Sequence, residues 1–522
     1  MRENETDMNG AESLVRTLIG AGVDTCFSNP GTSEMHFVAA LDHVPGMRCV
    51  LALAEGVATG AADGYYRIAG RPAATLLHLG PGLANGLSNL HNAKKAGSGV
   101  VNIVGEHAQS HIALDAPLTS DIAGIARPVS HWVHTSLASG DVAADGAKAV
   151  QAAQVAPGQI ATLILPSDTA WSAGGVVAPP LPVPVRPSFD TDALDRAAAA
   201  LSGPDSLLLL GGEALGADML DIAGRIAART GCALKAEWAN ARMERGAGRV
   251  AVGRVPYPID QALDALAPFS RVVLLGARAP IGFFAYPGKP AILTREDAEI
   301  IALAGAGEDL GAALRALSLT LGADDLAPAG VAVRTVTTAP EGAITPDSIA
   351  AALACTIPQN AIVVDESVTT GRAFFPATAG AAPHTWLNNC GGSIGYGLPA
   401  AVGAAIAAPD RKVLALTGDG SAMYTVQALW SLAREKLDVT VLIFANRSYR
   451  ILRGELTNVG VGNPGPRAID MLSLDRPDLD WVAMAASMGV EATRVSDAAD
   501  LTRALETGIA ASGPYLIEVV LQ

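Results

Sequence analysis

Apolar residues fall into short runs along this chain, and each run stops at a glycine or a polar break. Val413-Leu-Ala-Leu416 is one such run, and Val439 to Phe444 is another. Cys49 to Leu53, Ser206-Leu-Leu-Leu-Leu210 and Ala361 to Val364 repeat the pattern. Runs this short and this apolar read as strands. Between them lie alanine-rich stretches with helical spacing: Ala11 to Ala21, Val57 to Ile68, Asp218 to Arg229, Pro346 to Ala354 and Met423 to Glu435. Thr345 is a good N-cap for the fourth of these, with Pro346 at its first position. Strands alternating with helices predict an α/β fold of doubly wound parallel sheets.

Two breaks divide this pattern. Val177-Ala-Pro-Pro-Leu-Pro-Val-Pro-Val-Arg-Pro187 can be neither helix nor central strand. Pro328 to Pro340 is a second linker. The expected domains are therefore residues 1–180, 188–328 and 341–522. The first and third look like distant copies, since each opens with a helix and then alternates strands with alanine-rich helices. A length of 522 residues fits three domains.

Composition narrows the function. A net charge of −15 argues against nucleic acid and anionic membranes as partners. No uninterrupted apolar stretch reaches the roughly 18 residues of a membrane helix. Met1 to Gly10 is polar and acidic, unlike a signal peptide. The five cysteines (26, 49, 232, 355 and 390) are odd in number and lack a CxxC pair, the pattern of a reducing compartment. The expected location is the cytoplasm.

Candidate chemistry begins at Thr417-Gly-Asp-Gly-Ser421 and Ala445-Asn-Arg-Ser-Tyr449. One strand–helix–strand unit separates them, so parallel strands would bring Asp419 and Asn446 out side by side on one sheet edge, where open α/β sheets bind ligands. A carboxylate, an amide oxygen and a backbone carbonyl are hard donors suited to Mg²⁺ or Ca²⁺. Gly418 and Gly420 allow close backbone approach, and the following helix N-terminus can hold phosphate. This arrangement resembles the diphosphate–metal motif of thiamine diphosphate (ThDP) enzymes. The resemblance implies side-chain ligation of Mg²⁺ by Asp419 and Asn446, with Ser448 giving its backbone carbonyl. Ser421 and Tyr449 lie in the same two segments and are candidate cofactor contacts. Ala445 departs from the usual Asn-Asn at a position that is not a ligand.

A second motif points the same way. Glu55 follows an apolar strand and precedes a small-residue helix, which would put a carboxyl group in apolar surroundings on the functional edge. Ala54-Glu-Gly-Val-Ala-Thr-Gly-Ala-Ala-Asp-Gly-Tyr-Tyr-Arg67 resembles the activating-glutamate segment of the same family. There the acid bonds the cofactor's pyrimidine N1′ and promotes loss of the thiazolium C2 proton. Thr75 to Asn85 reads as strand, glycine-rich turn and helix. Gly80-Pro-Gly82 resembles acetolactate synthases. His78 resembles the pocket histidine of benzoylformate decarboxylases, and an imidazole can relay protons near neutral pH. Asn29-Pro-Gly-Thr-Ser-Glu34 resembles a decarboxylase turn whose hydroxyl, here Thr32, points at the substrate carboxylate.

In the third domain, Asn388-Asn-Cys-Gly-Gly-Ser-Ile-Gly-Tyr-Gly-Leu-Pro399 resembles the loop that supports the bent cofactor. Ile394 falls at the wedge between its two rings, and Gly392 where a carbonyl accepts from the 4′-amino group. The Asp365–Thr370 segment, ending in Thr370, could line the same edge. Leu452 and Glu455 match positions bordering substrate in aryl decarboxylases. Glu455 replaces the usual aromatic residue and so favours a small or polar donor. The glycine-, proline- and asparagine-rich stretch after Leu456 could be a lid. The middle segment lacks GxGxxG at Gly211–Gly216, so FAD or ADP is not expected there.

The resemblance spans the chain and is closest to acetolactate synthase large-subunit-like proteins. It implies a ThDP- and Mg²⁺-dependent enzyme that decarboxylates a pyruvate-like 2-oxo acid and ligates the resulting enamine to a carbonyl acceptor. It also implies a homodimer or homotetramer with active sites between subunits. The alternatives are a simple decarboxylase releasing an aldehyde, favoured by His78, and a flavin-linked oxidase. A non-enzymatic paralogue is a further reading, against which Glu55, Asp419 and Asn446 argue.

Overall fold

The structure, a computed structural model, describes residues 8–335 and 337–521. Residues 1–7, which carry most of the signal-peptide reading, lie outside the described residues, as do Val336 of the second linker and Gln522.

Three sheets form the frame. The first contains β1 (Thr25–Asn29), β2 (Arg48–Leu51), β3 (Ala73–Leu77), β4 (Val100–Glu106), β5 (Trp132–Thr135) and β6 (Ile160–Pro166). Its order is β2-β1-β3-β4-β6-β5, with every pair parallel. The middle sheet uses β7 (Ser206–Leu210) and β8 (Ala233–Ala236), and then β10 (Gly253–Arg254), β11 (Arg271–Leu275) and β12 (Glu299–Ala304). The chain makes β9 (Arg242–Arg245) between β8 and β10. The third sheet holds β13 (Ile362–Glu366), β14 (His384–Asn388), β15 (Val413–Gly418), β16 (Val439–Ala445), β17 (Glu491–Val495) and β18 (Tyr515–Val520). Its order is β17-β18-β16-β15-β13-β14-β9. This is a doubly wound α/β architecture in three parallel-dominated sheets.

In each sheet that carries the candidate chemistry, the order reverses beside the first strand. β1 has β2 on one side and β3 on the other, and β13 has β14 and β15. Such switch points open a crevice at the carboxyl ends of the strands. Glu55, Thr32 and His78 follow the three strands at the first reversal. Asp419 and the 389–397 loop follow two of those at the second.

The two sheets are joined by an unusually close helix pair. The Glu55–Ala69 helix lies on the Gly397–Ala407 helix along a stripe of small residues. A Cβ added at Gly64 would lie 2.1 Å from the Ala400 carbonyl oxygen, and one at Gly403 would lie 1.8 Å from that of Ala61. Both helices contribute to one apolar core, with Val57, Ala61 and Tyr65 meeting Leu398, Ala401 and Val402. A buried ion pair stands beside it. Arg67 binds Asp63 at 2.6 Å, with side chains 2% and 0% exposed. Its guanidinium also donates to the Asn388 carbonyl at 2.5 Å and to the Tyr396 hydroxyl at 2.9 Å. Breaking such a pair by removing one partner costs about 3–5 kcal/mol.

Several elements differ from the sequence reading. β9 comes from the middle segment yet pairs antiparallel with β14 of the third sheet, Met243 opposite Trp386, and so covers that sheet's edge. Gly80-Pro81-Gly82 is not a turn but the first turn of the Leu79–Ala96 helix. Pro81 is tolerated there because the missing N–H needs no partner, and the Gly82 N–H bonds the His78 carbonyl at 2.8 Å. The expected Met423–Glu435 helix is broken into a 3₁₀ turn, Met423–Thr425, and a helix, Ala428–Arg434. At the break the Thr425 hydroxyl donates to the Gly395 carbonyl at 3.0 Å.

Because Gly64 faces backbone rather than a movable side chain, Gly64→Ala must push the two helices apart. Overpacking of this kind costs about 1–3 kcal/mol. The thermal unfolding midpoint should fall by several degrees; a wild-type midpoint would contradict the close helix contact.

Candidate active site

At the first sheet's edge the adjacent strands β1 and β3 set the geometry. Asn29 and Leu77 are register partners, so the residues that follow each strand meet. His78 Nδ1 lies 2.8 Å from Glu34 Oε2, an oxygen that also accepts the Gly31 N–H at 2.7 Å. That pairing makes Nδ1 the protonated donor and leaves Nε2 free to take or give a proton. Gly31 is required at its position, since a Cβ would lie 2.2 Å from the His78 ring. Glu34 is buried, and desolvation raises its pKa above the ordinary carboxylate value against the bonds from Gly31 and His78. Thr32 is exposed in the 3₁₀ turn just ahead of Glu34.

Glu55 stands across this edge. It opens the Glu55–Ala69 helix rather than closing β2, which ends at Leu51. Its surroundings are more polar than the sequence reading expected: Asn85 Nδ2 donates to Oε2 at 3.1 Å. A Cβ added at Gly82 would lie 3.1 Å from Glu55 Oε1 and 3.3 Å from His78 Cβ. Glu55 and His78 therefore flank one glycine.

At the third sheet's edge β15 and β16 run side by side, with Gly418 opposite Phe444. Asp419 accepts the Arg447 N–H at 2.6 Å and the Gly420 N–H at 2.9 Å. It is buried, which raises its pKa against these bonds. Asn446 Oδ1 accepts from the Ser448 N–H at 3.0 Å and its hydroxyl at 3.1 Å. Tyr449 packs so near Gly420 that a Cβ there would lie 2.6 Å from the ring. Gly418 is open, with only Ser421 Oγ near an added Cβ, at 3.9 Å. Asp419, Gly420, Ser421, Asn446, Ser448 and Tyr449 thus form one cluster.

The 389–397 loop lies between the two edges. Asn89 Nδ2 donates to the Gly56 carbonyl at 2.8 Å and the Gly395 carbonyl at 3.2 Å, so one amide ties Glu55's neighbour to Ile394's neighbour. Ile394 is half-buried and Gly392 is exposed. Thr370 is buried at the head of a 3₁₀ turn after β13. Backbone strain gathers here. Among the described residues six non-glycine residues have positive φ, and Leu79, Val368 and Arg447 stand directly beside His78, the Thr370 turn and Asn446. Such strain is a recurrent mark of functional loops.

The sequence reading did not find what the middle segment adds. Phe283 lies against Gly392, 2.6 Å from an added Cβ. Its ring meets Trp238 at 5.3 Å and Tyr257 at 5.6 Å. The Tyr286 hydroxyl donates to Glu455 at 2.6 Å, joining this aromatic group to the Arg450–Asn458 helix. Leu452 is exposed on that helix. Glu34 was also missed as a partner of His78, although it stands in the quoted Asn29–Glu34 turn; only the pairing of β1 with β3 reveals it.

The donor set at Asp419 suits a diphosphate-bound cation. Among the described residues no three His, Cys, Asp or Glu side chains cluster as a metal site. Besides phosphate and water oxygens, the protein ligands left for a cation at Asp419 are amide and carbonyl oxygens, of the kind that Asn446 and Ser448 carry. The open Gly418 and the adjoining backbone N–H groups leave room for phosphate oxygens.

A carboxyl–imidazole edge and a Gly-Asp-Gly edge, with a glycine-rich loop tied to the first through Asn89, are the marks of a ThDP-dependent enzyme. The chain belongs to the thiamine pyrophosphate enzyme family: the family's N-terminal TPP binding domain matches residues 8–125 and its C-terminal TPP binding domain residues 371–519. It is 50% identical, over 98% of its length and 99% of the relative's, to a Mycobacterium tuberculosis protein provisionally named acetolactate synthase large subunit IlvX. It is 30% identical, over 96% of each chain, to benzoylformate decarboxylase of Pseudomonas aeruginosa. Its structure is similar to that of the ThDP-dependent 4-hydroxybenzoylformate decarboxylase of Rhodococcus jostii, with a TM-score of 0.86, 25% identity and 99% coverage of both chains. Two matched TPP-binding domains make ThDP the cofactor. Among the described residues no helix is long and apolar enough to cross a membrane.

Proposed function

We propose that this protein is an acetolactate synthase-like carboligase, in which a pyruvate-like 2-oxo acid loses CO₂ and the fragment left behind is joined to a second carbonyl compound. The observation that carries the reading is the 50% identity, over nearly the whole of both chains, to the relative named as an acetolactate synthase large subunit, together with Glu55 on an edge that Asn89 ties to the Ile394 loop. When bound, ThDP supplies a nucleophilic carbon that adds to the ketone and accepts the electron pair freed as CO₂ leaves. Asp419, Asn446 and the Ser448 carbonyl would hold Mg²⁺, and Gly418, Gly420 and Ser421 would receive the diphosphate. Glu55 holds a proton at the pyrimidine nitrogen. Gly392 would accept from the amino group, Ile394 would support the two rings, and Tyr449 and Thr370 would line the pocket. Thr32 meets the substrate carboxylate. His78, oriented by Glu34 through Nδ1, moves a proton at Nε2 on the substrate side. The reading extends to a cytoplasmic homodimer or homotetramer.

A second reading, aldehyde release from an aryl 2-oxo acid, is favoured by one observation: Phe283, packed against Tyr257 and Trp238, stands beside Gly392. CO₂ release by the pure protein from pyruvate and from benzoylformate, each with and without an aldehyde acceptor, separates the two.

Two outcomes test the assigned roles. Asp419→Ala removes the charged ligand and should weaken ThDP retention in Mg²⁺ buffer by orders of magnitude; unchanged retention would put the cation elsewhere. His78→Ala should slow aldehyde formation more than CO₂ loss and so shift the product ratio toward the ligated hydroxyketone. Equal slowing of both branches would assign His78 to substrate binding.

A further inference from the structure

Glu366, the last residue of β13, is among the most enclosed carboxyl groups of the described residues and has no cationic partner among them. It is 3% exposed. Oε1 accepts the Tyr396 N–H at 3.0 Å and Oε2 accepts the Gly397 N–H at 2.8 Å, at the start of the Gly397–Ala407 helix. The Asn389 amide approaches Oε1 at 3.4 Å, and the Thr417 hydroxyl, two residues before Asp419, approaches Oε2 at 3.4 Å. Asn389 completes a brace around the loop. Its Nδ2 donates to the Ser393 carbonyl at 2.7 Å, while its Oδ1 accepts the Gly391 N–H at 3.2 Å and the Gly392 N–H at 2.9 Å. The backbone on both sides of Ile394 is thereby tied to two side chains, one of which also touches the strand that leads to Asp419.

Resting on the reading above, we propose that Glu366, acting with Asn389, is a positioning residue for the reaction: it fixes the height of the 391–397 loop, and so of Ile394 and the Gly392 carbonyl, against the Gly-Asp-Gly strand. Burial raises the pKa of this carboxyl group to about 7 against the backbone N–H groups that lower it. A buried acid is a cost that a merely apolar core would avoid. What it gains is directional: a carboxylate accepts two neighbouring N–H groups at once, which an amide side chain of the same shape cannot do, because one of its ends is itself a donor. The polar contacts of Glu366 are with the loop's Asn389, Tyr396 and Gly397 and with the Thr417 hydroxyl, so it acts through the loop.

The test compares wild type with Glu366→Gln, and with Asn389→Ala in case the first variant does not fold. In cofactor-free protein, hydrogen exchange at Tyr396 and Gly397 should quicken by about tenfold or more, as expected for amides that lose their acceptor. In the loaded enzyme kcat should fall by about tenfold, while KM and the ThDP Kd stay within about threefold, the signature of an interaction felt in the transition state rather than in binding. The double variant should be little worse than either single one, because both act on one loop. Wild-type exchange in a folded variant would overturn the assignment, and so would a Kd that rises while kcat holds. If the wild type turns over no 2-oxo acid, the proposed function fails, and the exchange measurement still decides the role of Glu366.

Discussion

The approach of two helix backbones at Gly64 and Gly403 is the constraint on which the site depends. Each sheet carries part of the proposed site at its own switch point, Glu55 and His78 at one and Asp419 and Asn446 at the other. The Glu55–Ala69 helix begins at the carboxyl group that serves one half, and the Gly397–Ala407 helix begins where the loop that serves the other half ends. Side chains at the crossing would hold the helices apart and separate the Gly56 and Gly395 carbonyls that Asn89 bridges. Asp63 and Arg67 lock the crossing from the side, because Arg67 reaches Asn388 and Tyr396 at the two ends of the loop.

Buried polar groups recur around this crossing, and each has a geometric task. Glu34 turns His78, Asp419 collects two backbone N–H groups, Glu366 caps the loop, and Asn89 spans the gap between sheets. A core built for stability alone would avoid these desolvated groups. Left-handed backbone at Leu79, Val368 and Arg447 accompanies the groups at the two strand edges.

Much of this was legible in the sequence. The Gly-Asp-Gly turn and the Glu55 segment are local signals, and the strands around them are short apolar runs bounded by breakers, so element type and the edge that carries Asp419 and Asn446 could be read directly. What could not be read depends on contacts between distant segments. β9 reads as part of the middle segment because nothing in Arg242–Arg245 reveals that its partner is His384–Leu387. Glu34 reads as a turn residue until β1 lies beside β3. The glycine-rich stretch after His78 looked like a turn because glycine and proline signal breaks, yet a first helical turn tolerates both. The aromatic group that meets Gly392 through Phe283 could not be read either, because it arrives from the middle segment, some 110 to 150 residues earlier in the chain.

The central claim is that the Glu55 edge activates a cofactor held by the opposite edge. The most direct measurement is the rate of exchange of the C2 proton of bound ThDP in wild type and Glu55→Gln, followed by rapid quenching in deuterated buffer. The account predicts that the variant retains ThDP while exchange slows by about a hundredfold or more, the low end of acid–base effects. Exchange at the wild-type rate in a variant that still binds ThDP would contradict it.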